Sequence, residues 1–402
     1  MKSLLNNKFI ACYKNNQEQI LLLLLALVLF SSWMGNAIWI EQDSKYYNQV
    51  YDLTFVIIRY LSYALMALAT GLNWLLRQYK NKPFLIYAFI TASVFVISRS
   101  TEYLILMLGV GAFAPLKERR ILPVYIMIQG FTLFFIPFLS ALNILPNVVM
   151  DTERMRYALG FTWVTTAPVL LVFFTIGLIA YRRKELNVWM LGFLAAIAVY
   201  LYILTDTRMA FVMELAVLIL AFLWIRAPGA FSFLKSKKAL RVISLLPVVL
   251  TLAALLLAVF YNENNAVLEK LNAWLSGRLA NGHAALNEYG LSILGKKIVW
   301  IGNGVNSHTS MDYLFVDCSY LNILLNYGIV FLCLVMYWLQ DLLYKIWRKH
   351  DVLVLALMVL LLFFCFLEVR LVNPLYNPFA WMAGRLMMKN KTGWNWRKTY
   401  GQ

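Results

Sequence analysis

Arginine presents a planar fork of donors that grips phosphate and carboxylate in bidentate fashion. Six arginines of this chain, Arg99, Arg154, Arg156, Arg208, Arg278 and Arg370, fall in segments between apolar runs where other cations are scarce. Several of them converging would make an anion site at a membrane surface. The alternative for each is interfacial snorkelling or an ordinary ion pair. Arg278 is the most constrained. In Val267-Leu268-x-x-Leu271-x-x-Trp274-Leu275-x-x-Arg278-Leu279 the apolar residues recur at helical spacing. This predicts an amphipathic helix with Arg278 in the middle of its apolar stripe, beside Leu271, Trp274 and Leu275. A charge there must meet an acidic partner or a ligand anion, and the ligand is the reading we favour. Arg208 opens an apolar run in Thr205-Asp206-Thr207-Arg208, where a salt bridge to a nearby acid is its simplest role. Arg154 and Arg156 lie in Glu153-Arg154-Met155-Arg156-Tyr157, before another run, and Arg156 could act as an interfacial anchor.

Proton transfer needs a base within reach of the proton it removes. His283, His308, Asp312 and Asp317 are the candidates in one long polar segment, and each could equally be a solvated loop residue. Asp317 is the best placed, because it immediately precedes an apolar run at Asp317-Cys318-Ser319-Tyr320. Arg59 and Glu214 fall inside apolar runs, each about six residues from one end, or roughly 9 Å deep at 1.5 Å per residue. Equal depth suits an ion pair, and charges inside a membrane are functional candidates by default. Gly295, Gly302 and Gly304 have the wrong spacing for a nucleotide loop. The four cysteines are scattered, and no metal-ligand or cofactor motif is present, so we expect neither metal nor cofactor.

These residues must be positioned by elements of an unusual kind. The chain has 402 residues, of which 62% are hydrophobic and 14% charged. A soluble domain needs more polar surface than that. The pattern predicts an all-α polytopic membrane protein with about twelve spans, near 20–40, 53–76, 84–98, 103–116, 121–145, 161–181, 187–205, 209–225, 242–261, 319–340, 351–367 and 375–388. The formal net charge is +17, and it is not spread evenly. Roughly 24 of the 36 basic residues cluster in alternate loops and at the two ends, which puts both termini in the cytoplasm. With no basic-aromatic surface standing out, the charge reads as topology rather than as a nucleic-acid site. The chain therefore divides into spans one to nine (1–261), a long external loop with amphipathic helices (262–318), and spans ten to twelve with a basic tail (319–402). A loop of that length is usually functional.

The chain resembles the bacterial Wzy-type polysaccharide polymerases, which are related to the O-antigen ligases. The resemblance runs over nearly the whole length in span count, topology and the late external loop. Its local matches are Leu275-Ser276-Gly277-Arg278-Leu279, Leu294-Gly295, Asp317-Cys318-Ser319-Tyr320-Leu321, Tyr327-Gly328 and Arg156-Tyr157-Ala158-Leu159-Gly160-Phe161. It implies a GT-C-like fold in the bacterial cytoplasmic membrane. It also implies a metal-independent transfer of a growing glycan from undecaprenyl pyrophosphate to a sugar hydroxyl of an incoming lipid-linked repeat unit. The implied partners are that lipid-linked oligosaccharide, membrane lipid, and a chain-length regulator and flippase. Arg156, Arg208 and Arg278 would bind the pyrophosphate, with Arg59, Glu214, Arg154 and Tyr320 in support. The ligases carry a histidine where this chain has Asp317, eleven residues before Gly328. The histidine role is therefore absent, taken by Asp317 or supplied by His308; Asp317 is the first choice of base and His308 the second. A ligase-like transferase and a lipid-linked oligosaccharide flippase are the competing expectations.

Overall fold

A computed structural model describes residues 8–37, 45–149, 154–302 and 313–389. It is helical: among the described residues the only β pairing is four isolated bridges. The described residues form two compact units, one within 1–85, 104–218 and 374–402 and one within 86–103 and 219–373. Among the described residues, eight helices are long and apolar enough to cross a bilayer, so the chain is a multi-pass membrane protein. The surface agrees with that reading. Trp189, Phe193 and Ile203 on one helix, and Val242, Leu245, Val249, Leu252 and Leu256 on another, are exposed. Water does not tolerate a continuous apolar stripe of that kind, whereas lipid does.

The first unit holds α1 (Lys8–Met34), α2 (Lys45–Leu75), the start of α3 (Asn81–Ser98), most of α4 (Thr101–Ala112), α5 (Glu118–Ala141), α6 (Thr166–Arg182), α7 (Val188–Thr205) and the first half of α8 (Arg208–Arg226). Its packing runs α2 on α1, α1 on α5, α5 on α6 and α6 on α7. Helix α6 is buried along almost its whole length, as expected of a short helix that is apolar all round. The twelfth expected span, 375–388, is here a 3₁₀ helix, Pro378–Met387, packed on α5. Ten residues at about 2.0 Å each reach roughly 20 Å, short of a hydrocarbon core about 30 Å thick. It is anchored from α5, where Tyr125 and Gln129 donate to the carbonyls of Tyr376 and Leu375 and Glu118 pairs with Arg385.

The second unit is built on α9 (Lys237–Val259), α12 (Ser319–Arg348) and α13 (Val352–Leu367), with a 3₁₀ turn (Pro228–Lys235) against α13. The polar segment between α9 and α12 carries α10 (Ala266–Trp274) and α11 (Arg278–Tyr289), and α11 packs on α9 and α12. The single amphipathic helix expected over 267–279 is therefore two helices. Ser276 (φ 57°) and Gly277 (φ 82°) turn left-handed between them, and Arg278 opens the second. Trp274 is 73% exposed, so it shares no buried face with Arg278.

Helix α12 is broken at Gly328 (φ 81°, ψ 174°). A break at membrane depth strands amides and carbonyls, and it survives only where protein satisfies them. Here residues 292–296 do so. The amides of Ile329 and Val330 donate to the carbonyls of Ser292 and Ile293 at 3.0 and 3.1 Å, and the Lys296 amide donates to Asn326 O at 3.1 Å. The two backbones meet at Gly295 (φ 91°) and Gly328, where a Cβ on either residue would overlap main-chain atoms of the other strand. Asn326 adds a side-chain tie, accepting from Trp300 Nε1 at 3.1 Å. Substituting alanine at Gly295 or Gly328 should therefore cost about 3 kcal/mol or more, from positive-φ strain and steric overlap together. In detergent, either variant should show a clearly lower thermal midpoint. Gly192→Ala on α7, where a Cβ meets nothing within 4 Å, should melt with the wild type. Equal midpoints for all three would contradict the packing described.

Candidate functional site

In the second unit, four charges gather where α11, α12 and α13 begin or end. Arg278 is the first residue of α11, Asp317 lies two residues before α12, and Glu368 caps the end of α13 with Arg370 just beyond. Arg278 Nε stands 3.1 Å from Asp317 Oδ2. The approach is ionic, without the line-up of a hydrogen bond, while Arg278 Nη1 donates to Leu275 O at 3.0 Å. Arg370 Nε stands 3.5 Å from Glu368 Oε1. Ser319 locks the two ends together. Its hydroxyl donates to the Glu368 carbonyl at 2.6 Å and accepts from the Leu371 amide at 3.0 Å. Val316 is held in turn, its carbonyl accepting from Asn322 Nδ2 at 3.0 Å.

Burial raises the Asp317 carboxyl, against the pull of Arg278 and Arg370. Burial also pushes Glu368 up to about 7; Arg370 opposes this and the Asp317 charge reinforces it. Tyr313 belongs to the same cluster. Burial and then Asp317 push its phenol upward, with Arg278 in opposition, so it remains a hydrogen-bond donor at neutral pH. The Cys318 thiol is pushed up to about 11 by burial and is no nucleophile. Beside these charges opens a small cleft, continuous with the outside, whose walls include Ala254 and Leu257 of α9, Leu321 of α12, Phe366 and Leu367. Among the described residues, Arg278 is the one charged group lining it. The arrangement offers an apolar slot, a guanidinium at its edge, and two carboxyls that burial pushes toward holding their protons.

A second arginine group lies in the first unit, at the turn between α7 and α8. Asp206 ends α7 in a left-handed conformation (φ 42°). Arg154 Nε donates to its Oδ2 at 2.8 Å, and Arg208 Nε stands 3.3 Å from its Oδ1. Arg156 Nε donates to the Thr205 carbonyl at 2.8 Å. Segment 154–158 is stitched to this turn through the Tyr157 amide, which donates to Leu204 O. Desolvation works to raise the Asp206 carboxyl, but the bonds and charges of Arg154 and Arg208 outweigh it and hold the group below its usual range. Arg154 and Arg208 thus share one acid, Arg156 is held by a backbone carbonyl, and Arg208 is 68% exposed.

Set against the expectations from sequence, the sites divide clearly. Arg278 meets an acidic partner, Asp317, rather than standing unmatched for a ligand. The reason is that the left-handed break before it turns its side chain toward the start of α12. Arg208 makes the salt bridge expected as its simplest role, with Arg154 on the same acid. Arg156 and Arg208 come together at one turn of the first unit, whereas Arg278 belongs to the second. Arg59 and Glu214 form no ion pair: the Arg59 guanidinium lies against Gly35, and Glu214 accepts from Thr175 Oγ1 at 2.7 Å inside the first unit. Tyr320 is buried, and its hydroxyl donates to Leu362 O at 2.9 Å, a packing role in place of the supporting one expected. His283 is held at both nitrogens, by the Ala258 carbonyl and the Asn287 amide, each at 2.8 Å, so it is no ready base. Arg99 closes α3, its Nε donating to Val96 O. His308 and Asp312 lie outside the described residues. Glu368 and Tyr313 are site residues that sequence reasoning passed over. The available signal was Glu368-Val369-Arg370, an acid and a base closing an apolar run on the side poor in charge.

No protein-family model, curated protein or solved structure matches this chain.

Glu368 makes a prediction about stability. Its ordinary value is 4.5 and its folded value about 7. Between these two values the unfolded chain has lost the proton that the folded one keeps, so stability falls as pH rises through this window and levels off above it. In detergent, the thermal midpoint of wild type should decline from pH 4.5 to 7 more steeply than that of Glu368→Gln. Parallel curves for the two proteins would contradict the buried, proton-holding environment assigned to Glu368.

Proposed function

We propose that this chain is a polysaccharide polymerase of the Wzy type. It would transfer a growing glycan from undecaprenyl pyrophosphate to a sugar hydroxyl of an incoming lipid-linked repeat unit. In this reading the chain is GT-C-like and sits in the bacterial cytoplasmic membrane. The observation that carries the proposal is the pairing of an apolar cavity with Arg278 at its edge and Asp317 and Glu368 beside it. An isoprenoid diphosphate has the matching form, a hydrocarbon tail ending in a strongly anionic head. Transfer breaks the bond between the anomeric carbon and the diphosphate oxygen, and the electron pair leaves with the diphosphate. A guanidinium placed there stabilises the charge as it develops. The acceptor oxygen forms the new bond, and its proton passes to a carboxylate of the cluster.

Polymerisation brings two lipid diphosphates together, one on the donor and one on the acceptor. A ligase-like enzyme shares the donor chemistry and differs in its acceptor, which need not carry a diphosphate. The natural co-workers of such an enzyme are a flippase and a chain-length regulator.

Removing the gene should leave single repeat units on lipid at the outer face of the membrane. Accumulation at the cytoplasmic face would instead indicate a flippase. Arg278→Ala should lower polymer formation by about 10²–10³-fold, the usual cost of losing one donor to a developing anion. Long polysaccharide made at the normal rate by this variant would refute the assignment.

A further inference from the structure

We infer that Glu368, rather than Asp317, receives the proton of the acceptor hydroxyl, and that Asp317 positions Arg278. The inference rests on the transferase reading above. A proton acceptor must hold its proton about as strongly as the working pH allows; a carboxylate pinned by cations holds it too weakly. Burial raises Asp317 as well, but two guanidiniums oppose that rise. Arg278 Nε is 3.1 Å away, and Arg370 adds a second positive field. Glu368 has Arg370 at the longer distance of 3.5 Å. Its side chain is 14% exposed, against 23% for Asp317, so water screens its charge less. The ionised Asp317 also repels a second negative charge at Glu368, as like charges in one site do. The groups that act on this pair are Arg278, Arg370, Tyr313, Cys318 and Cys365. The two thiols and the phenol carry no charge near neutral pH that would reverse the order. The upward shift of Glu368 to about 7 agrees with the geometry.

The location fits as well. Glu368 follows Phe366 and Leu367, which line the cavity, and its backbone is bolted through Ser319 to the start of α12. A hydroxyl presented at the cavity edge gives its proton to a Glu368 oxygen as its own oxygen bonds to the anomeric carbon. The diphosphate departs with the electron pair beside Arg278, and protonated Glu368 then releases its proton to solvent. Asp317 keeps its charge throughout and holds the guanidinium in place.

The test uses full-length protein in lipid vesicles with lipid-linked repeat units, read as polymerisation rate against pH. Wild type should lose activity on the acid side of about pH 7. Glu368→Gln should fall by about 10²-fold or more at every pH, with KM for the lipid-linked unit nearly unchanged. Glu368→Asp should recover part of the rate, with its acid limb moved to lower pH. Asp317→Asn should raise KM, because Arg278 is no longer held, yet keep the acid limb near 7. An acid limb that persists in Glu368→Gln and vanishes in Asp317→Asn would overturn the inference and leave the transferase reading intact. So would a Glu368→Gln rate within about threefold of wild type. A wild type that transfers no glycan at all would remove the reading beneath it. Unchanged elution and thermal midpoint at the assay pH separate these outcomes from misfolding.

Discussion

An amide or carbonyl left without a partner in hydrocarbon costs several kcal/mol, and that constraint governs both units. It confines the chain to helices wherever lipid is near. It also makes the interruption at Gly328 informative, because α12 breaks only where residues 292–296 arrive to take up the stranded groups. The polar segment between α9 and α12 is therefore fixed to the membrane portion through main-chain bonds that side-chain changes alter little. The first turns of α12 share that fixity. Asn322 and Asn326 continue the ties along the helix, and Asp317 is presented at its beginning.

The charges of the second unit are a consequence of where three helices terminate. The ends of α12 and α13 leave backbone groups unpaired, and Ser319 bridges them by bonding both Glu368 and Leu371. Arg278 arrives from the left-handed turn before α11. Among the described residues, two acids and two arginines then come together. Such a cluster tolerates partial burial because each member has an opposite neighbour. Burial nevertheless raises the proton affinity of both acids. In the first unit the same residue types are arranged otherwise: Arg154 and Arg208 share Asp206, and Arg156 is held by the Thr205 carbonyl at the α7–α8 turn.

Much of the fold was legible in the residues. The apolar runs fall on the long helices, because a backbone in lipid has few alternatives, although α1 begins at Lys8 where the run begins at 20 and α12 continues to Arg348 where the run ends at 340. Failures came where helix length or continuity depended on contacts. The run at 375–388 is apolar enough to suggest a span, but its proline-bounded chain winds as a 3₁₀ helix docked on α5. The run at 267–279 has helical spacing, but spacing is blind to the two positive-φ residues that divide it. The site was legible in part. Asp317 and Arg278 were singled out for separate tasks, and Glu368 was passed over because nothing near it in sequence marks it as a neighbour of Asp317.

Composition and periodicity by themselves determined that this is a multi-pass helical chain, since only burial in lipid reconciles so many apolar residues with so few charges. They also marked the arginines on the charge-poor segments as unusual. Only the tertiary structure decided which acids those arginines meet. Arg278 and Asp317 lie 39 positions apart, and Asp317 and Glu368 lie 51 apart. Electrostatic energy depends on distance through space, and the helix ends that set those distances are placed by packing rather than by neighbours in the chain.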